Sequence, residues 1–429
     1  MNSNLAKLVY DETGRLLFTK EMKKEFTILM PQMLPVHFAM LKRCFEMEGY
    51  NVDVLNTTHK AIVETGLKYV HNDTCYPALL VIGQLIEAVQ SGRYDVDKIA
   101  LLITQTGGGC RASNYIHLLR KALIKAGLDK VPVVSLNLSG LEKNPGFSLN
   151  LRLIRRLIAA VVYGDIIVNL SNQCRPYETK KGASDELIDY WVDRLVTSFS
   201  HVGALSYKNM KINMDKIVAD FAKIKVEKVD KPKVGVVGEI YIKYAPLGNN
   251  NLEEFLLKEG AEPIVPGLMD FIIFKVNNRV VDVDIYGGAA IKKTIANVLQ
   301  KYIERYQMAL IDAIRKEPRF NAPPPFSHLQ ELIKGYLGYG NKMGEGWLLT
   351  AEMLELITSG VNNIVCTQPF GCLPNHVAGK GMIRKLKNDY PDSNIVSIDY
   401  DPGATKVNQE NRIKLMLSNA KIGENLSHK

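Results

Sequence analysis

The stretch that decides the fold is Val361-Asn-Asn-Ile-Val-Cys366-Thr-Gln-Pro-Phe-Gly-Cys372-Leu-Pro-Asn-His376. Its first half is a short apolar run suited to a buried strand. Phe370-Gly-Cys372 makes a tight loop, and a helical pattern opens just after the cysteine. Two earlier segments follow the same plan. Lys98-Ile-Ala-Leu-Leu-Ile-Thr104 is an apolar strand that runs into Gly107-Gly-Gly-Cys110, with an amphipathic helix from about Ser113. His71-Asn-Asp-Thr-Cys75-Tyr-Pro77 opens the helix carrying Leu79, Leu80, Ile82 and Leu85. Each of the three loops sets a thiol beside a helix start, where backbone N–H groups and the helix dipole favour an anionic sulfur.

Working outward, strands and helices alternate on both sides of a polar middle. Strands are expected at 26–30, 52–55, 98–104 and 131–135, with helices between them at 35–49, up to 90, and at 113–126. A β-α-β-α-β alternation of this kind predicts a parallel sheet covered by helices. Residues 148–223 read as helices over 151–162, 184–199 and 210–224, and the charge-alternating run Lys223 to Lys233, with its Pro232, reads as a linker. The alternation resumes at Lys233-Val-Gly-Val-Val-Gly238. It continues through a helix at 251–259, a strand at 262–265, a long helix at 290–316 with Ile295, Leu299, Tyr302, Tyr306 and Leu310 facing inward, and further helices at 326–337, 347–359, 376–389 and 403–418 around strands 362–367 and 394–398. The expected architecture is α/β: two flavodoxin- or Rossmann-like parallel-sheet lobes with a helical insertion between them. Its divisions are an N-terminal arm (1–25, turning at Glu12-Thr-Gly14), a first lobe (26–147), a helical region and linker (148–232), and a second lobe (233–429).

The composition is that of a globular protein: 46% hydrophobic and 23% charged over 429 residues. No apolar run reaches the ~18 residues a membrane helix needs, and Met1 to Phe18 lacks a signal-peptide core. These features predict a cytoplasmic protein with no membrane partner. The net charge of +9 is scattered among acids and follows no nucleic-acid motif. It suits an anionic small molecule as well as a plain basic surface.

Six cysteines in a cytoplasmic chain of this length point to thiols, metal ligands or catalytic groups before disulfides. Thiolates suit soft metals, as zinc or iron–sulfur. Ligands in open α/β sheets lie beyond the C-terminal strand ends, where Cys110 and Cys372 are expected. Cys75, Cys110 and Cys372 are therefore the candidate metal and cofactor ligands, and Cys366 is a candidate fourth. Cys44 falls within a helix core. Cys174, in Asn172-Gln-Cys-Arg-Pro-Tyr-Glu178, reads as a loop residue. His376 at a helix start, Gly235-Val-Val-Gly-Glu239 after a strand and Asp399-Tyr-Asp-Pro-Gly403 are further positions where a ligand or a simple cap would serve. A Walker A sequence is missing, and no catalytic residue is assigned from the spacing.

Several of these segments resemble one family. The runs NDTCYPALLVIGQL, GGGCRASNY, RPYE at 175–178, GEIYIKYAPLGNNNLEEFL and 366–417 are similar to the 2-hydroxyacyl-CoA dehydratase superfamily. The likeness is strongest to the branch associated with, or fused to, the ATP-dependent activase, in the part corresponding to the C-terminal region of the large fusion proteins. It spans nearly the whole chain, and 366–417 carries it most specifically. The resemblance implies flavodoxin-like lobes and an iron–sulfur cluster, [4Fe-4S] or double-cubane, held by one cysteine from each of three loops: Cys75, Cys110 and Cys372. It implies an activase partner that delivers one low-potential electron at the expense of ATP. It further implies an acyl-CoA or other small substrate, and a homo- or heterodimer with a related subunit. The activity would be a lyase reaction by radical dehydration, or the reductase component of a small-molecule reduction. A non-catalytic relay or scaffold subunit is the alternative. The loop sequences around each cysteine depart from those of the well-studied dehydratases.

Overall fold

The computed structural model describes residues 7–106, 108–137, 142–201 and 203–427. Gly107 and the first six residues of the expected arm lie outside them. The arm turns at Glu12-Thr-Gly14 as expected, with an antiparallel bridge between Tyr10 and Leu16. It continues into a short helix not foreseen from the sequence, α1 (Lys20–Glu25), capped by the Thr19 hydroxyl.

The first lobe contains β1 (Thr27–Pro31), α2 (Pro35–Glu46), β2 (Asn51–Leu55), α3 (Ala61–Tyr69), α4 (Tyr76–Gln90), β3 (Ile99–Thr104), α5 (Tyr115–Lys125) and β4 (Val133–Leu136). Its four strands are all parallel, in the order β2-β1-β3-β4. Three helices follow: α6 (Leu151–Cys174), α7 (Ala183–Ser198) and α8 (Tyr207–Ala222).

The second lobe opens with β5 (Lys233–Gly238), α9 (Ile240–Tyr244), α10 (Pro246–Asn249), α11 (Leu252–Lys258) and β6 (Glu262–Ile264). Next come α12 (Leu268–Tyr286), α13 (Ala290–Arg315), α14 (Phe326–Leu332) and α15 (Trp347–Thr358). The chain ends with β7 (Asn363–Pro369), α16 (Leu373–Ala378), α17 (Ile383–Asp389), β8 (Asn394–Tyr400) and α18 (Lys406–Ser427). Its sheet repeats the first one's plan, parallel and in the order β6-β5-β7-β8. The protein is thus α/β, with two four-stranded parallel sheets and helices between and around them.

The inner strands β1, β3, β5 and β7 are buried on both faces, which is why they read as continuous apolar runs rather than alternating ones. Successive residues still point to opposite sides. Ile28, Met30, Ala100, Leu102 and Ile364 join one apolar cluster, shared with α2, α6, α8, α12, α13 and α15. Leu29, Leu101, Ile103 and Val365 join the other, shared with α4, α5, α11 and α18. Helix α6 reaches both lobes, touching α2 on one side and β6, α12 and α13 on the other.

Four expectations need correction. Cys174 is the buried last residue of α6, not a loop residue. Helix α12, nineteen residues long, fills a stretch for which no element was expected. In α13 the inward face is confined to the second half: Tyr306 and Leu310 are buried, but Ile295 is 63% exposed. The helix expected at 376–389 begins earlier, directly after Cys372, and is broken at Gly379 into α16 and α17. Among the described residues no helix is long and apolar enough to cross a membrane.

Candidate functional site

In a sheet ordered 2-1-3-4 the crossovers leave in opposite directions on either side of the first strand, which opens a crevice beyond the carboxyl ends of the first and third strands. In the first lobe the loop after β3 carries Cys110. In the second lobe the loop after β5 carries Glu239 and the loop after β7 carries Cys372. Cys75 precedes α4, whose Pro77 lies in the first turn, where no intrahelical N–H partner is lost.

The loops meet across the two lobes. The Tyr76 N–H donates to Phe370 O at 2.9 Å, tying the Cys75 loop to the Cys372 loop. Gly371 has φ +70°, and a Cβ there would lie 3.0 Å from Cys75 Cα, so glycine is required for this approach. Gly344, in the loop before α15, has φ +59°. A Cβ on it would stand 3.1 Å from Pro374 Cγ and 3.9 Å from Cys110 Sγ. The Cys110 loop, the Cys372 helix and the 341–346 loop therefore share one confined space.

Two carboxyl groups lie in this space. Glu239 caps α9 by accepting the Ile242 N–H at 2.9 Å, and Glu345 accepts the Ile240 N–H at 3.1 Å. Both are buried. Lys275, on α12, donates to Gly344 O. Tyr115, at the start of α5, has its hydroxyl 3.0 Å from Cys75 Sγ.

The electrostatics bind the group together. Burial pushes the Cys75 thiol up to about 11; the Tyr115 hydroxyl opposes this, while Glu239 and Cys110 add to it. Burial also raises Cys110, with Glu345 and Glu239 acting in the same sense and Lys275 against. Cys372 is raised furthest, by burial first and then by Glu345, Glu239 and Cys110. Glu239 itself is pushed up to about 8 by burial and by Glu345. Burial above all thus drives three thiols and a carboxyl toward their protonated forms.

The chemistry of these donors bears on whether a metal group fits. A metal ion or cluster inverts the local acidity and deprotonates coordinating thiols outright. The three thiols are free, soft donors, and Gly344 and Gly371 let their loops approach the Cys110 and Cys75 segments more closely than a side chain would allow. These features fit an iron–sulfur group held by Cys75, Cys110 and Cys372. Among the described residues, no three His, Cys, Asp or Glu side chains already close into an ion site.

The other candidates lie elsewhere. Cys366 does not end its strand: β7 runs on to Pro369. Its side chain is fully buried with Sγ 3.9 Å from Asn375 Oδ1, and the groups acting on its thiol are Lys380, Asp399 and Glu352, not the three site cysteines. Cys44 is buried in α2, and Cys174 lies 3.4 Å from Arg319 Nη2. His376 is exposed on α16. Asp399 pairs with Lys380 at 2.9 Å, and Asp401 accepts the Gly403 N–H at 2.7 Å as a loop cap.

Sequence reasoning did not assign Glu239, Glu345, Tyr115 or Lys275 to the site. Glu239 carried a usable signal, as an acid directly after a buried strand of an α/β sheet. In comparisons with known proteins, no family model matches the chain and no curated protein matches it significantly.

Proposed function

We propose that this protein is an iron–sulfur subunit of the 2-hydroxyacyl-CoA dehydratase type, reduced by an ATP-dependent activase and used for radical dehydration or reduction of an acyl-CoA or another small molecule. One observation supports the reading: the loops that carry Cys75, Cys110 and Cys372, drawn from both parallel-sheet lobes, approach one another beside the buried Glu239 and Glu345. Cys75, Cys110 and Cys372 would hold the cluster. When bound, the cluster supplies a one-electron couple of low potential.

The rest of the work falls to the chain itself. Burial of Cys75 and Cys372 keeps water from their sulfurs. Glu239 and Glu345, anchored by backbone N–H groups at the α9 start, are placed to bind a substrate hydroxyl and to carry its proton. Tyr115 positions the Cys75 thiol through its hydroxyl.

The test is anaerobic reconstitution with iron and sulfide, followed by EPR after adding reduced activase with ATP or a non-hydrolysable analogue. The expected result is bound iron and sulfide and a reduced-cluster signal that requires ATP hydrolysis. Zinc binding without cluster assembly, or equal reduction with the analogue, would overturn the reading. Turnover of a panel of hydroxyacyl-CoA esters then distinguishes a catalytic subunit from an electron relay.

A further inference from the structure

A second cavity, of about 410 Å³, lies among α6, α12, α13, α15 and the 320–324 loop, and none of the site cysteines lines it. A single water needs only roughly 10–15 Å³, so this space is sized for an organic molecule. Its walls are largely apolar, with Val168, Ile264, Val265, Met269, Leu310 and Phe320 among them. Its floor is acidic.

The acids fall into two groups. Two are already compensated. Asp165 accepts from His37 Nε2 at 2.8 Å and from the Leu268 and Met269 N–H groups at 2.9 and 2.8 Å. Glu352 accepts from Lys243 Nζ at 2.9 Å. Three others, Asp270, Glu253 and Glu355, make no close ion pair among the described residues; Lys243 acts on Asp270, and Arg175 and His37 on Glu253, from farther away. Asp270 accepts one hydrogen bond, from Gln307 Nε2 at 2.6 Å, and Glu253 accepts one from Asn172 at 2.9 Å. Glu355 accepts none from the described residues.

Leaving carboxylates without counter-charge in a buried space is costly. Burial, then Glu352 and Asp165, raise Asp270 to about 8, and burial and Glu352 raise Glu355 to about 7. The remaining lining cations, Lys233 and Arg315, are half-buried and exposed respectively. A separate observation points the same way. His37 lines the cavity at 1% exposure, and its Nδ1 has no hydrogen-bond partner among the described residues. In the tautomer that donates Nε2–H to the Asp165 carboxylate, Nδ1 is an acceptor that a bound donor would satisfy.

We propose that this cavity is a binding site for a small organic cation, a primary amine on an apolar body, whose ammonium group is received by Asp270 and Glu355 and whose chain lies against the apolar wall. An ammonium group has three donors and a positive charge, which supplies what the carboxylates and His37 Nδ1 lack. An apolar body of several carbons uses the rest of the space. The site is independent of the thiol pocket, so the proposal stands or falls apart from the iron–sulfur reading.

The experiment titrates the full chain with 1-hexylamine by calorimetry and by thermal melting, with 1-hexanol and magnesium chloride as comparisons. The amine is expected to bind and raise the melting temperature, the alcohol to bind at least tenfold more weakly, and magnesium to have no matching effect. Asp270→Asn keeps the Gln307 hydrogen bond and should weaken the amine at least tenfold. Glu355→Gln, at a half-buried position without hydrogen bonds to lose, should do the same and serves if the first variant does not fold. Asp312→Asn, on the exposed side of α13, should leave binding unchanged. Equal binding of alcohol and amine, displacement of the amine by magnesium, absence of amine binding, or full affinity in Glu355→Gln would each overturn the proposal.

Discussion

Single side chains divide the six cysteines by surroundings rather than by type. Cys110 acts electrostatically on both Cys75 and Cys372, while Cys44, Cys174 and Cys366 are buried in an apolar cluster. Alanine at any of the first three should abolish the broad visible absorption of an anaerobically reconstituted sample. Cys44→Ala and Cys366→Ala should keep it and cost only about 1 kcal/mol through a small cavity. Loss of the band in Cys366→Ala would reinstate that residue as a ligand. The buried acids make a second prediction, in stability. The Asp270 carboxyl is held at about 8, against an ordinary 3.8, by burial and then by Glu352 and Asp165. A raised acid keeps its proton in the folded state while the unfolded chain releases it, so this group weakens the fold as pH rises from about 4 to about 8. One such proton contributes a slope of at most about 1.4 kcal/mol per pH unit. Denaturant titrations across that window should show stability falling with pH, and Asp270→Asn should flatten part of the slope. Glu239, Glu253, Glu262, Glu352 and Glu355 are raised too and act in the same direction. An unchanged slope in the variant would remove Asp270 from the balance.

Helices and loops explain how the site is held, and also which parts of it the sequence made visible. Trp347, the first residue of α15, is fully buried against Phe274, Phe326 and Tyr339, with ring centroids 5.2, 5.7 and 5.4 Å away. Its backbone N–H donates to Asn341 O at 2.7 Å, closing the 341–346 loop that carries Glu345. Trp347→Ala should cost about 3–5 kcal/mol and loosen that loop, whereas Trp347→Phe should cost less. Chemical denaturation with hydrogen exchange at Gly344 to Gly346 checks both. A stable variant with a protected loop would show that the aromatic cluster is not what pins it. The four inner strands were readable because each is a short apolar run punctuated by glycine, proline or polar residues. The Cys110 and Cys372 loops were readable because they repeat one strand–loop–helix pattern, while the Cys75 loop, between α3 and α4, shares only the helix start. Helix α12 was not, because Phe271-Ile-Ile-Phe274 and Val280-Val-Asp-Val283 carry no clear helical face; it is buried along much of its length and shows little amphipathic contrast. The end of α6 was not, because Asn172-Gln-Cys-Arg-Pro looks like a loop until Asn172 finds Glu253 at 2.9 Å. Glu345 carried no local sign at all, since only the tertiary fold brings it to the α9 start.

The whole molecule presents the thiol pocket at a face that is apolar where it is exposed, and this shapes how a reductant would dock. Phe370, Leu373 and Val377 flank Cys372, and Met343 lies against Gly109; Leu373 is 71% exposed. Arg111, beside Cys110, is exposed and makes no ion pair among the described residues. Lys380 is already paired with Asp399 at 2.9 Å, and Arg412 approaches the same carboxylate. Under the proposed function, contact with the activase therefore rests mainly on apolar burial, with Arg111 adding a salt-sensitive part. Leu373→Asp would place a charge in the middle of that contact, and should slow ATP-driven reduction by about tenfold or more, roughly 1.4 kcal/mol of binding, without changing iron and sulfide content. Arg111→Ala should mainly flatten the salt dependence of the rate, because a rim charge acts on encounter rather than on the closed complex. Lys380→Ala should change little, its charge being offset within its own surface. Stopped-flow reduction at low and high salt separates the three. If Leu373→Asp is reduced at the parental rate with full cluster content, the activase approaches from another side, and the apolar rim of the Cys372 loop belongs to a different contact.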